Sequence, residues 1–164
     1  MRYLIVVDMQ NDFVTGSLGS KMAEMIVPAV CEKTRSYKAQ GSTVFMTLDT
    51  HFKDYLETPE GKKLPVEHCI KGTEGWQPET QVAEAIGGSA EVYEKSTFGS
   101  AELAQHLAEI TKPGDEIELC GLCTDICVVS NALLIKAFCP ECEVIVDANA
   151  CAGVTEESHK AALV

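Results

Sequence analysis

The sequence predicts an open, mostly parallel, doubly wound α/β sheet with helices on both faces. Short apolar runs recur along the chain, and the first of them, Leu4-Ile5-Val6-Val7, is unbroken, as expected of a central parallel strand covered on both sides. Longer stretches with helical periodicity and capping signals separate these runs. Asp8, Asp49, Lys95 and Cys127 stand at or just beyond the ends of different strands, where folds of this class carry their function.

Taken in order, the first strand ends in Asp8-Met9-Gln10-Asn11-Asp12-Phe13. Asn11 and Asp12 read as ordinary turn formers, but Asp8 abuts four buried aliphatics and needs a partner for its charge. Gly16 to Ser20 is a loop, and Ser20 is placed to cap a helix through about Ala39. Thr43 to Leu48 is the second strand, followed by Asp49-Thr50-His51. Phe52 to Glu67, with Pro59, Gly61 and Pro65, reads as a loop with short helical pieces that returns to His68. Gln77 to Ile86 is a short helix stopped by Gly87-Gly88, and Glu91 to Glu94 is the third strand, with Lys95 at its end. Ser100 caps a helix through Ile110, and Thr111 to Asp115 turns into the fourth strand, Glu116 to Cys120. Glu143 to Asp147 is the fifth strand, and Thr155 caps a helix still running at Val164.

The segment after the fourth strand, Gly121-Leu122-Cys123-Thr124-Asp125-Ile126-Cys127-Val128, organises the rest. It leads into an apolar helix over Val128 to Phe138, with Thr124 as the expected N-cap. Cys127 would then lie in the first turn, where unpaired N–H groups and the helix dipole favour negative charge and an ionisable thiol. A buried Cys is more often a small apolar side chain, so this segment alone does not decide its role. Asp49, His51 and His68 offer one carboxylate and two imidazoles, a donor set suited to a divalent metal with open positions. An isolated Asp-x-His is more often a hydrogen-bonded loop pair; the strand-end position and the return of His68 favour ligands.

With 164 residues the chain is expected to form one domain, 1–164, large enough to bury a core. A net charge of -12 argues against nucleic acid as a partner, and no apolar run is long enough for a membrane span. No internal repeat or linker is present, and the N-terminus lacks the features of a signal peptide. The eight cysteines then fit reduced thiols in the cytoplasm. Cys120-x-x-Cys123 and Cys139-x-x-Cys142 match a zinc-ribbon spacing, but the fifteen residues between the pairs read as a helix. Such a helix holds the pairs roughly 22 Å apart, whereas thiolates sharing one zinc each lie about 2.3 Å from it.

Four segments resemble the motifs of the isochorismatase-like cysteine hydrolases and, within them, the nicotinamidases. They are VVDMQNDF (Val6 to Phe13), YEKSTFGS (Tyr93 to Ser100), GLCTDICV (Gly121 to Val128), and Asp49 and His51 with the His68 to Gly75 segment. The resemblance implies Asp8, Lys95 and Cys127 as catalytic residues, with Cys127 the nucleophile. It also implies a cis peptide between Leu122 and Cys123, and an oxyanion hole from the backbone N–H groups of Cys123 and Cys127. Asp49, His51 and His68 become the ligands of a divalent metal, zinc first, with iron or manganese as alternatives, and Phe13 a wall against the substrate ring. The activity implied is hydrolysis of a small aromatic amide, nicotinamide foremost, with ammonia released. Another amide or carbamoyl substrate, and a binding protein without activity, are the competing readings, and a homo-oligomer is left open. The chain departs from nicotinamidases in three places. Leu64-Pro65-Val66-Glu67 before His68 lacks their usual Trp, Cys123 replaces a usual Ala, and the family's C-terminal strand is not evident.

Overall fold

The structure, a computed structural model, describes residues 1–88 and 90–164. Strand β1 spans Arg2–Val7, β2 Thr43–Asp49, β3 Glu91–Lys95, β4 Glu116–Leu122 and β5 Glu143–Ala152. They form one sheet in the order β3-β2-β1-β4-β5, with every neighbouring pair parallel. The helices are α1 (Asn11–Val14), α2 (Lys21–Ala39), α3 (Pro59–Lys63), α4 (Thr80–Ile86), α5 (Ala101–Ile110), α6 (Val129–Phe138) and α7 (Glu156–Ala162).

The alternation of side chains along a strand explains why β1 lies in the middle. Leu4 and Val6 enter one core with Val27 and Val30 of α2 and Val82 of α4. Ile5 and Val7 enter the other core with Leu103 and Leu107 of α5 and Ile135 of α6. β1 pairs with β2 on one side and β4 on the other, so the winding direction reverses at its carboxyl end. In folds of this class such a reversal is where function gathers, beyond the carboxyl ends of the strands.

The expected caps form at Ser20, whose Oγ accepts the Ala23 N–H at 3.1 Å, and at Ser100, which accepts the Leu103 N–H at 3.2 Å. Thr155 and Ser158 cap α7 reciprocally. The excursion after β2 holds the expected short pieces, a 3₁₀ turn over Tyr55–Glu57 and α3. Several boundaries differ. α4 begins at Thr80 rather than Gln77, because Pro78 bridges to Gln10 and Glu79 takes the capping role. β5 runs past Asp147 to Ala152, since a register shift between Leu119 and Gly121 renews its pairing with β4. α7 ends at Ala162, short of Val164.

The largest difference lies at the segment after β4. Thr124–Val128 is wound as a π-helical turn, closed by the Val128 N–H on the Cys123 carbonyl at 3.0 Å, and α6 starts only at Val129. Thr124 caps nothing; its hydroxyl pairs with His159 Nδ1 at 2.7 Å. Cys120 and Cys123 are separated from Cys139 and Cys142 by α6, so the zinc-ribbon spacing does not bring the four thiols together. Among the described residues, no helix is long and apolar enough to cross a membrane.

Candidate active site

Asp8 leaves β1 with φ at 47°, in the left-handed region that a non-glycine residue enters at a cost of about 1–3 kcal/mol. Its N–H on the Thr47 carbonyl at 3.1 Å and its carbonyl under the Gln10 N–H at 2.8 Å hold that conformation. The carboxylate is fully buried. Oδ1 accepts the Thr47 hydroxyl at 2.7 Å, and Oδ2 lies 2.6 Å from Lys95 Nζ. The ammonium at this distance is the ion-pair partner of Oδ2, and it counters the effect of burial on the carboxylate. The Cys127 thiol is within reach of the same carboxylate.

Lys95 Nζ also stands 3.4 Å from Cys127 Sγ and 3.7 Å from Asp49 Oδ1. Burial opposes the lysine's charge, but Asp8, Cys127 and Asp49 outweigh it and hold the ammonium above its ordinary pKa. Burial drives Cys127 the other way. Its thiol is pushed well above the ordinary value by desolvation and then by the Asp8 charge, with Lys95 only partly offsetting them. Burial and the Asp8 charge thus oppose the ionisation that the position of Cys127 after β4 favours. Asp8 is likewise raised by burial, against the Lys95 charge, which makes it a better proton acceptor than an exposed carboxylate.

The turn bearing Cys127 is clamped from within. Asn131, fully buried on α6, donates from Nδ2 to the Cys127 carbonyl at 2.8 Å and the Phe98 carbonyl at 3.1 Å, while its Oδ1 accepts the Ser100 N–H at 2.9 Å. One amide thus ties the Cys127 turn to the loop that follows Lys95. The peptide between Leu122 and Cys123 is cis, as expected. Gly121 precedes it at φ 118°, and a Cβ there would stand 2.1 Å from the Val7 carbonyl oxygen, so only glycine lets β4 approach β1 at this point.

Asp49, His51 and His68 are all buried, and their ligating atoms lie within 4.8 Å of one another. Both histidine Nε2 atoms converge on Asp49 Oδ2, at 3.0 Å from His51 and 3.3 Å from His68. The Val66 carbonyl, 2.7 Å from His68 Nδ1, fixes that ring with Nε2 directed at the group. A carboxylate with two imidazoles is a donor set that fits a divalent ion. Phe13, tilted against His68 with ring centroids 5.5 Å apart, lies beside it.

Some participants carried no usable sequence signal. Glu60 of α3 stands 3.7 Å from His51 Nε2 and 3.8 Å from His68 Nε2, and Tyr55 packs its ring against both imidazoles. Gln10, fully buried, accepts the Asp49 N–H and donates to its carbonyl, both at 2.8 Å. Asp12 is more than a turn former: its Oδ2 accepts the Cys69 N–H at 2.8 Å, which holds the His68 loop in place.

A parallel α/β sheet with a buried thiol, ammonium and carboxylate at its switch point, beside a metal-type donor set, defines a doubly wound α/β protein with a candidate active site beyond its strand ends. The isochorismatase-domain profile matches residues 2–164. The uncharacterized isochorismatase family protein PncA of Bacillus subtilis is 30% identical over 98% of this chain and 91% of its own. The crystal structure of a nicotinamidase/pyrazinamidase PncA from B. subtilis superposes with a TM-score of 0.86 at 28% identity, covering 99% of this chain and 92% of that one. A pyrazinamidase of Pyrococcus horikoshii in complex with zinc gives a TM-score of 0.82 at 28% identity, with the same coverages. The chain belongs to the isochorismatase family.

Proposed function

We propose that the protein hydrolyses the amide bond of a small aza-aromatic carboxamide, nicotinamide to nicotinate and ammonia. The observation that carries this is the convergence of Asp8, Lys95 and Cys127 in one buried cluster, joined through Asp49 to His51 and His68. Relatives that bear the names nicotinamidase and pyrazinamidase support the substrate class.

In this mechanism Asp8 Oδ2 takes the Cys127 proton as Sγ attacks the amide carbonyl carbon. The backbone N–H groups of Cys123 and Cys127 hold the charge that develops on the carbonyl oxygen. As the C–N bond breaks, Asp8 returns the proton to the leaving nitrogen, and ammonia departs from a thioester. Asp8 then takes a proton from water, whose oxygen attacks the thioester carbonyl. The C–S bond breaks, the acid leaves, and the proton passes back to Cys127. Lys95 stays charged throughout and stabilises both the carboxylate and the transient thiolate. Asp49, His51 and His68 would hold a divalent ion, zinc in this reading, which would supply Lewis acidity for anchoring a ring-borne donor. Phe13 offers a flat wall for the ring.

The test is ammonia release from nicotinamide and from benzamide, which has the same shape without the ring nitrogen, before and after chelation. Nicotinamide should be preferred by about 10–100-fold in kcat/KM, and chelation should erase most of that preference. Equal turnover of the two would reject the anchoring role. No turnover of any carboxamide by protein with a reactive Cys127 would reject the amidase reading.

A further inference from the structure

The π-turn that carries Cys127 is gripped on its outer flank by one segment far along the chain. Thr124 Oγ1 pairs with His159 Nδ1 at 2.7 Å, and Asp125 Oδ1 accepts the Val154 N–H at 3.0 Å. The approach is built into the backbone: a Cβ on Gly153 would stand 2.9 Å from the N, Cα and Cβ of His159, so the bare glycine lets α7 come this close. Thr124 is only 2% exposed, so its hydroxyl has little recourse to water if the imidazole is lost. The turn is a single π-helical one with no side-chain cap of its own.

We propose that His159 is a positioning residue for the nucleophile. By holding Thr124 it fixes the π-turn, so that Cys127 Sγ faces Lys95 and Asp8 while the Cys123 and Cys127 amides point at one carbonyl oxygen. This rests on the assignment of Cys127 as nucleophile made above. The contact survives either protonation state of the imidazole, since the hydroxyl can donate to a bare Nδ1 or accept from Nδ1–H. It therefore acts as a mechanical brace and not as a proton carrier. A nucleophile displaced by about 1 Å can lose about a hundredfold in rate, so a brace of this kind has kinetic weight.

The experiment compares His159→Ala, His159→Asn, Thr124→Val and the Thr124→Val/His159→Ala double variant. Asn can return a polar atom near the Nδ1 position, and Val keeps the shape of Thr without its hydroxyl. Two readouts are taken on folded protein: the rate of Cys127 alkylation by iodoacetamide at mildly alkaline pH, followed by peptide mass spectrometry, and kcat and KM for nicotinamide. His159→Ala and Thr124→Val should each shift the alkylation rate away from wild type and lower kcat by about tenfold or more, with KM changed by less than about twofold. The double variant should be no worse than either single one, and His159→Asn should recover most of the loss. Wild-type alkylation and kcat in folded His159→Ala would overturn the proposal. So would multiplying effects in the double variant, or equal impairment of His159→Asn and His159→Ala. If His159→Ala does not fold, the alkylation rate of Thr124→Val decides alone. The alkylation arm needs no substrate, so it still decides the matter if no carboxamide is turned over.

Discussion

A thiol whose ionisation is opposed by burial and by a neighbouring carboxylate changes what its variants should do. The Asp8 charge is one of the causes that raise Cys127, whereas Lys95 lowers it. Asp8→Asn should therefore make Cys127 alkylate faster near neutral pH while amide turnover falls by about 10²–10⁴-fold, because the proton acceptor is gone. Lys95→Ala should act in the opposite sense on alkylation, slowing it at neutral pH, and should also impair turnover. In the unaltered protein the alkylation rate should keep climbing from neutral pH to beyond the ordinary thiol value of 9.0, with no plateau before it, since the folded thiol is raised above that value. A plateau at neutral pH, or slower alkylation of Asp8→Asn, would return the site to a resting ion pair. Cys127→Ala should fold and be inactive. That Asp8, Lys95 and Cys127 gather at one place was legible in the sequence, because Asp8 and Lys95 stand at strand ends and Cys127 follows a strand, where such sheets place chemistry. The protonation state of Cys127 was not legible. It depends on burial and on charges brought by other strands, which no local pattern records.

At the scale of elements, the connection between β4 and α6 is where local signals and tertiary contacts part. Thr124 has the side chain and position of an N-cap, but a bond to His159 claims its hydroxyl and a π-turn precedes the helix. β5 reads as ending at Asp147, yet a renewed register with β4 carries it to Ala152. Gln10 and Asn131 left no trace because each serves backbone groups of a segment remote in sequence. Asn131→Ala should expose that dependence. It strips partners from the buried Ser100 N–H and the Cys127 carbonyl, so unfolding free energy should fall by roughly 2–4 kcal/mol in a denaturant titration. Turnover should fall as well, since the same amide joins the nucleophile turn to the Lys95 loop. An unchanged denaturation midpoint would show that the two segments are held by packing alone.

Across the whole molecule, Lys33 of α2 links two strands, with Nζ 2.8 Å from both Glu118 of β4 and Asp147 of β5. Burial works against its charge, but the bonds to Asp147 and Glu118 outweigh it and raise its pKa above 10.5. Asp147 is lowered below 3.8, because the bond from Lys33 outweighs its desolvation. The raised lysine contributes stability that is complete below its unfolded pKa and is lost as pH rises through the folded one. The lowered carboxylate contributes above its unfolded pKa and is lost as pH falls through its folded one. Lys33→Met should therefore lower Tm at neutral pH, and its deficit should shrink both in strong acid and in strong alkali. A deficit independent of pH would assign the loss to packing. The pairing of Arg2–Val7 with the strand that begins at Glu116 has a consequence of another kind. During synthesis the first strand waits for the chain through Leu122 before it meets β4, so Asp8 has no Cys127 thiol beside it until the segment after β4 has emerged. Pulse labelling of Cys127 in ribosome-bound chains of increasing length would follow this event directly, with labelling suppressed only once β4, α6 and β5 have emerged and docked.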